Sequence, residues 1–319
     1  MSTLPTLAIS IVNWNGGNFI LDCLNSISQC TAYNYNLEQI ILVDNASTDD
    51  SLHKLKTSTF NFYLKIIENT KNYGFGHACN QAAKEVDSDY ILFLNPDTIL
   101  FADTLDKTFE FVAKNNNSAI GLIGIKQVDQ NGKTLKTCNR FLKLRYLANR
   151  ILGLTKLSPR WFPDYTMLEW DHESDRFIEQ PMGAFYLIKK TIFTQLSGFN
   201  KDFFMYFEDA DLCYRLAQTG YKAYYFAGAA MVHKISSTTA HIKHLGLFYN
   251  LQGRLIYSRK HFSCLAYCCT VFLTCVIEPI TRIVFMLLKR NFLSVKEAIW
   301  GYRLLFRSFC KSNQHSRGN

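Results

Sequence analysis

The sequence predicts an α/β fold with a mostly parallel sheet, flanked by helices and followed by a basic, apolar helical region at the C-terminus. Three observations lead to this prediction. Short β-branched runs alternate with helical patterns over the first 130 residues, polar residues cluster where those runs end, and the excess positive charge lies in the last quarter of the chain. Apolar strands that alternate with helices are typical of βαβ units and a buried parallel sheet.

Composition limits the class of protein. The chain has 319 residues, of which 48% are hydrophobic and 19% charged, so it can bury a large core and a disordered chain is excluded. Its ten cysteines show no metal-ligand spacing and no C-x-x-C pair. We therefore expect a reduced, cytosol-facing protein. The N-terminus has no basic region followed by a long apolar run, and we expect no signal peptide.

Apolar runs predict the strands of the first half. In chain order these runs are Leu7–Val12, Gln39–Val43, Tyr63–Ile67, Tyr90–Leu94 and Ala119–Ile125. An amphipathic segment that ends near Cys30 and the stretch Phe75–Val86 predict helices between them.

The second half begins with a stretch that has no clear period, residues 131–180, which we interpret as a loop-and-helix region over the site. Gly183–Ile188 then predicts a strand. Phe207–Gln218 predicts a helix closed by Gly220, a residue suited to a C-cap, and Tyr221–Phe226 predicts the last strand.

The charge is divided unevenly. Residues 1–240 hold 23 Lys and Arg against 24 Asp and Glu, whereas residues 241–319 hold 12 against 2. The 16-residue run Phe262–Ile277 carries no charge, but a spanning helix needs about 20 apolar residues. We favour amphipathic helices on an anionic membrane surface over a spanning helix or core helices. Nucleic acid is not expected, because the aromatic residues do not interleave with the basic ones.

Polar clusters follow the predicted strands, where the ligands of parallel sheets bind. Asn13–Asn15, Asp44 and Asn95–Asp97 come directly after strands, and neither a dinucleotide nor a P-loop fingerprint is present. Capping of helices by Asp44 and Asp97 is the alternative. A carboxylate such as Asp97, fixed at a strand end, can hold Mg²⁺ or Mn²⁺.

A second acidic group, Glu208, Asp209 and Asp211, opens the helix predicted over Phe207–Gln218. Acidic residues suit a helix N-terminus, yet three carboxylates in four residues repel one another, which indicates a nearby cation or substrate proton. His233 follows the last predicted strand in a loop of small residues. A lone histidine is more often a packed residue than a metal ligand.

These residues, in this order, resemble the inverting nucleotide-sugar glycosyltransferases of family 2, which have the Rossmann-like GT-A fold, and in particular their bacterial rhamnosyltransferase-like branch. The resemblance covers residues 8–234. It is carried by the segments ISIVNWNGG, ILVDNASTDDS, ENTKNYGFGHACNQA, YILFLNPDT, GAFYLIKK, GFNKDFFMYFEDADLCYRLAQTGYK and VHK.

The resemblance implies a role for each candidate residue. Asp209 matches the catalytic base, Glu208 and Asp211 are acceptor-side or supporting acids, and Asp97 and His233 match the ligands of Mg²⁺ or Mn²⁺. Asn95 stands where the family often has the first Asp of Asp-x-Asp. The implied nucleotide-sugar pocket is lined by Asn13, Trp14, Asn15, Asp44, Asn72, Gly74, Asn80 and Asn95.

The implied enzyme transfers one sugar, such as rhamnose, from a nucleoside-diphosphate sugar to a lipid-linked or oligosaccharide acceptor of cell-surface polysaccharide synthesis. We expect a catalytic domain over residues 1–240, with a nucleotide-binding half (1–130) and an acceptor-side half (131–240). Residues 241–319 are expected to attach it to the cytoplasmic face of the inner membrane as a peripheral protein, or to form a homodimer contact. A nucleotidyltransferase and a non-catalytic membrane-associated scaffold are the alternatives.

Overall fold

The computed structural model describes residues 4–115, 119–234 and 243–315 and contains a nine-stranded sheet and a two-stranded one. The strands are β1 (Thr6–Asn13), β2 (Asn36–Asp44), β3 (Leu64–Glu68), β4 (Tyr90–Leu94), β5 (Thr98–Leu100), β6 (Ile120–Val128), β7 (Cys138–Asn139), β8 (Arg176–Ile178), β9 (Gln180–Pro181), β10 (Phe185–Lys189) and β11 (Lys222–His233).

The described helices lie between and after these strands. They are α1 (Phe19–Ser28), α2 (Ser51–Thr57), α3 (Phe75–Lys84), α4 (Thr104–Lys114), α5 (Leu144–Ile151), α6 (Leu154–Leu157), α7 (Lys190–Gln195), α8 (Glu208–Gln218), α9 (Lys243–His261), α10 (Cys264–Phe272), α11 (Glu278–Leu288) and α12 (Phe292–His315). A π-helical turn, Leu273–Ile277, joins α10 to α11 without a break.

The large sheet has the order β3-β2-β1-β4-β10-β6-β11-β5, and β8 pairs with β11. The first four strands of this order are parallel, as are β6 and β11. β10 runs antiparallel to both of its neighbours, and β5 and β8 run antiparallel to β11. The predicted mostly parallel sheet flanked by helices is confirmed.

Alternate residues of the central strands enter two separate cores, because successive side chains of a strand point to opposite faces. In β1, Leu7, Ile9 and Ile11 pack with apolar residues of α1 and α4, whereas Ala8 and Val12 pack with α3 and α8. Both faces of the sheet are thus covered, which leaves the strand ends for polar groups.

The last strand is longer than the sequence predicts. Our prediction ends it at Phe226 and puts His233 in a loop, but β11 continues to His233. The pairing register shifts between Phe226 and Ala230, so the small residues form an irregularity inside the strand and pairing resumes after it. The expectation of a loop at His233 is therefore wrong.

The described residues divide into two compact units. The first runs to Phe141 and includes Thr166–Phe204 and the segment that begins at Glu208. The second contains Leu142–Tyr165, Met205–Phe207 and the C-terminal helices. The predicted boundary between residues 240 and 241 lies outside the described residues.

Within the second unit, Cys264–Leu288 is one continuous helix, the single described helix that is long and apolar enough to cross a membrane. One of its faces is exposed along the whole length, from Leu265 through Phe272, Val276 and Ile280 to Leu288. We call these five residues the apolar stripe. Thr270, Thr274 and Glu278 form the opposite, buried face.

A buried charge cluster fixes this helix against α9. Glu278 of α11 accepts hydrogen bonds from Arg254 of α9 and, at 2.5 Å, from Arg282. Arg254 also donates to Thr274 at 3.4 Å. Since Arg254 and Glu278 are both buried, removing either one would leave the other charge uncompensated. The cluster therefore determines which face of the helix points outward.

Candidate active site

Asn13 and Asp44 end β1 and β2 and bind each other in the interior. The Asn13 amide donates to Asp44 Oδ1 at 2.8 Å and to the hydroxyls of Ser47 and Ser51 at 3.1 and 2.9 Å. Asp44 Oδ2 also accepts the Ser47 N–H at 3.0 Å. Because both side chains are buried, this network fixes the loops after the two strands. Trp14, beside it, stays half-exposed.

A second polar network surrounds the end of β3. The Asn45 amide donates to Asn72 Oδ1 at 3.1 Å and to the Gly74 carbonyl at 3.2 Å. Asn72 Oδ1 also accepts the Gly74 N–H at 2.8 Å. Gly74 has φ of 88°, and a Cβ there would lie 2.2 Å from the Phe204 carbonyl oxygen. Glycine is thus required where α3 begins.

Two predicted site residues tether loops instead of facing open space. Asn80 pairs with the Phe199 backbone, donating to its carbonyl at 2.7 Å and accepting its N–H at 2.8 Å. Asp211 is fully buried and accepts from Arg215 Nε at 2.7 Å. Arg215 in turn donates to the carbonyls of Leu196 and Gly198.

Asp97 and His233 lie next to each other at the edge of the sheet, where the start of β5 pairs with the end of β11. Asp97 Oδ1 lies 3.3 Å from His233 Nε2, and both side chains are buried. His233 Nδ1 faces Gln127 Oε1 at 2.8 Å, a contact in which the nitrogen donates. His233 Nε2 therefore faces the Asp97 carboxylate, and an imidazole nitrogen beside a carboxylate oxygen is a pair of ligand types that divalent metal ions accept.

The Asp97–His233 pair therefore fits a divalent metal ion, with one carboxylate and one imidazole as protein ligands and the other positions left to water or phosphate oxygens. Within the described ranges, no group of three or more His, Cys, Asp or Glu side chains could hold a metal. The fit thus depends on two protein ligands.

Asp209 lies near the same end of the sheet. A Cβ on Gly183 would be 3.4 Å from Asp209 Cβ, and the next residue, Ala184, accepts the Asn95 N–H at 3.0 Å. Burial raises the pKa of Asp209, and hydrogen bonds from the Ala210 backbone and the Gln180 side chain partly offset that effect. The side chain is mostly buried but keeps an exposed part that a ligand can reach.

Glu208 is 93% buried, and its Oε2 has no hydrogen-bond partner among the described residues. Burial and the neighbouring Asp209 raise the pKa of Glu208 to about 8. Glu208 is therefore mostly protonated at neutral pH.

Sequence reasoning missed Asn45, Ser47, Ser51, Gln127 and Gln180, all of which hold predicted site residues. Asn45, Ser47 and Ser51 follow Asp44 closely, and their position after a strand was a usable signal. Gln127 lies within a buried strand and Gln180 in the stretch without a clear period, so neither had a local signal.

The sequence profile of Glycosyl transferase family 2 matches residues 8–214, about two thirds of the chain. This range contains every candidate residue described above except His233, which lies beyond it.

Two curated relatives transfer rhamnose according to their names. Rhamnosyltransferase WbbL of Escherichia coli is 30% identical over 169 residues, which is 50% of this chain and 61% of WbbL. N-acetylglucosaminyl-diphospho-decaprenol L-rhamnosyltransferase of Mycobacterium tuberculosis is 24% identical over 248 residues, 74% of this chain and 77% of that protein.

A solved structure shares the fold. The mannosyltransferase PcManGT from Pyrobaculum calidifontis, in complex with GDP-Man and Mn²⁺, matches with a TM-score of 0.56 and 14% identity. The match covers 95% of this chain and 87% of PcManGT. The fold is therefore that of the GT-A glycosyltransferases.

Glu208 generates a prediction about stability. Its pKa is about 8 in the folded protein and about 4.3 in an unfolded chain, so the folded state holds the proton between these values and stability falls as the pH rises through that window. Glu208→Gln keeps a neutral group and removes this loss. Relative to wild type, the variant should gain of the order of 3 kcal/mol between pH 5 and pH 8.

Urea unfolding of both proteins at several pH values measures the gain. Glu110→Gln, which alters an exposed pair with Lys114, is the control and should show a nearly constant difference. Parallel pH profiles of wild type and Glu208→Gln would contradict the raised pKa.

Proposed function

The chain belongs to glycosyl transferase family 2, and from this premise we propose that it transfers one sugar from a nucleoside-diphosphate sugar to a hydroxyl of a glycan acceptor, with inversion at the anomeric carbon. The observation that supports the proposal most directly is that Asn95, two residues before Asp97, and Asp209 both adjoin the segment Gly183–Ala184. A diphosphate-binding group and a base would thus share one end of the sheet.

The nucleotide would lie on the loops that follow β1, β2 and β3. Asn13 and Asp44 are buried and hydrogen-bonded to each other, so we propose that they shape the pocket. Trp14 and Asn15 are partly exposed and would contact the base. Asn72, Gly74 and Asn95 would complete this wall, and Asn80 would hold it through Phe199. A half-exposed aromatic ring is suited to stacking on a nucleobase.

Asp97 and His233 would hold Mg²⁺ or Mn²⁺ beside the diphosphate. A divalent cation there neutralises the charge that develops on the leaving nucleoside diphosphate. Gln127 fixes the His233 ring so that Nε2 faces Asp97, the usual role of a hydrogen bond to the distal nitrogen of a metal-binding histidine.

Asp209 would remove the proton of the acceptor hydroxyl as the new glycosidic bond forms. Its raised pKa brings it closer to neutral pH, where a general base is most effective. One base suffices for direct displacement, which inverts the anomeric carbon. Neutral Glu208 would keep charge repulsion from Asp209 low, and Asp211 would support α8 through Arg215.

Both relatives are named rhamnosyltransferases, which supports rhamnose as the donor sugar, and the diphospho-decaprenol in the name of the second supports a lipid-linked acceptor. The decisive experiment is a screen of nucleotide sugars, including deoxythymidine-diphosphate rhamnose, with Mn²⁺ and lipid-linked acceptors. Release of nucleoside diphosphate with a product of one added sugar supports the proposal. Release of pyrophosphate from a nucleoside triphosphate would favour a nucleotidyltransferase instead.

The second unit would bring the site to a lipid-linked acceptor by binding an anionic membrane surface. The apolar stripe is exposed, with Leu265 at 76% and Leu288 at 79%, and Lys156 and Lys289 both lie over the ring of Phe285 on the same helix. Apolar side chains bordered by lysines match the interface of a bilayer with anionic lipids. We therefore propose peripheral attachment to the cytoplasmic face of the inner membrane.

Asp209→Asn should abolish transfer and leave nucleoside-diphosphate affinity within a few-fold, because a general base acts on the acceptor and contributes roughly 10²–10⁴-fold to the rate. Turnover and calorimetric binding measure the two effects. Asp202→Asn, an exposed residue of the preceding loop, is the control. A loss smaller than tenfold would exclude Asp209 as the base.

Asp97→Ala should remove the increase in nucleoside-diphosphate affinity that Mn²⁺ produces, since the variant loses the oxygen ligand beside His233. Calorimetry with and without Mn²⁺ tests this, and Asp103→Ala, in a surface pair with Lys107, serves as the control. If the metal-dependent increment persists in Asp97→Ala, Asp97 is not a ligand.

The double variant Phe272→Ser/Ile280→Ser should bind vesicles of phosphatidylglycerol and phosphatidylcholine at least tenfold more weakly, because burying one such side chain is worth about 1.5–3 kcal/mol. Flotation measures binding, and Leu168→Ser, an exposed leucine of the first unit, is the control. Point substitutions are preferable to truncation after Lys260, which would leave Arg254 without Glu278. If flotation is unchanged and light scattering shows that the double variant has lost a dimer that the wild type forms, the stripe is a homodimer contact instead.

A further inference from the structure

Two consecutive aromatic residues adopt an unusual backbone conformation directly before the proposed base. Tyr206 and Phe207 have φ of 67° and 69°, in the left-handed region that residues with bulky side chains rarely occupy. Such residues store backbone strain and persist only where their surroundings hold them. Glu208, the first residue of α8, and then Asp209 follow immediately.

Helix α9 supplies what holds these two residues. Met205–Phe207 belongs to the second unit together with α9. A Cβ on Gly253 would lie 2.7 Å from the Tyr206 carbonyl oxygen and 3.2 Å from Phe207 Cδ2, so the segment packs directly on the α9 backbone. The ring of Phe207 also contacts the buried ring of Tyr257, one helical turn later, with centroids 5.7 Å apart.

Glycine inside a helix is destabilising relative to alanine, so its presence at position 253 is explained by a contact that alanine would not allow. The close approach of Tyr206 and Phe207 is that contact. A side chain there would displace the carbonyl of Tyr206 and, through the chain, the residues that begin α8.

We propose that Gly253 is a positioning residue for Asp209. By admitting the Tyr206–Phe207 backbone onto α9, it keeps both residues left-handed and so sets where α8 starts and where Asp209 presents its carboxylate. The proposal relies on the assignment of Asp209 as the base in the proposed function. Gly253 itself touches neither donor nor acceptor.

Gly253→Ala and Gly246→Ala test the proposal. Both glycines lie in α9, but a Cβ on Gly246 would come no closer than 3.7 Å to the Tyr206 hydroxyl, an ordinary contact. Since small displacements of a reacting group can cost about 10²-fold in rate, Gly253→Ala should lower kcat at least tenfold. Its KM for the donor and its affinity for nucleoside diphosphate should stay within twofold of wild type, and Gly246→Ala should match wild type throughout.

The division between kcat and KM separates positioning from general loss of structure, which would lower donor binding too. If Gly253→Ala no longer binds nucleoside diphosphate, Phe207→Ala decides, because it leaves Gly253 in place, removes the ring that contacts Gly253 and Tyr257, and should reduce kcat alone. A wild-type kcat in Gly253→Ala or in Phe207→Ala, measured on a variant that still binds nucleoside diphosphate, overturns the positioning role. A wild-type protein that transfers no sugar in the donor screen instead contradicts the proposed function.

Discussion

The covering of the sheet on both faces is the constraint on which the rest of this structure depends. Strands such as β1 and β4 are buried along nearly their whole length, and they are therefore mostly apolar. The polar residues that could contact a ligand follow the strand ends. Where these polar side chains are buried, they must form hydrogen bonds with one another. The hydrogen bond that the Asn13 amide donates to Asp44, both buried, fixes two neighbouring loops, and Trp14 lies half-buried beside them.

The sequence predicts the central strands well, because runs such as Leu7–Val12 and Tyr90–Leu94 are apolar throughout and end in polar residues. It fails at β11, where Ala227–Ala230 has the composition of a loop and is instead an irregularity inside a strand. That outcome depends on pairing with β6 and β5, which no local pattern reports. The helix Thr104–Lys114 is not among the predicted elements, although its buried residues Leu105, Phe109 and Val112 have helical spacing.

The candidate site shows the same contrast between features that a local sequence pattern predicts and features that depend on tertiary packing. Candidate site residues at strand ends, such as Asp97, can be predicted from their position alone. The tethering roles of Asn80 and Asp211 could not be predicted, because their partners are backbone or side-chain groups chosen by tertiary packing: Asn80 bonds to Phe199, 119 positions later. His233 becomes a neighbour of Asp97 only because β11 extends far enough to pair with β5.

Adjacent residues of α9 serve two different contacts, and this limits how the second unit can meet a membrane. Gly253 receives the segment before Asp209, while Arg254 binds Glu278 of the apolar helix. A helix that crossed a bilayer alone would expose Thr274 and Glu278 to lipid, at a cost of several kcal/mol for each unsatisfied polar group. Here Arg254 binds both groups, and the apolar stripe on the opposite face of the helix is exposed. The contact with α9 therefore leaves an amphipathic helix, polar on its packed side and apolar on its exposed side, and this pattern supports the peripheral attachment that we propose.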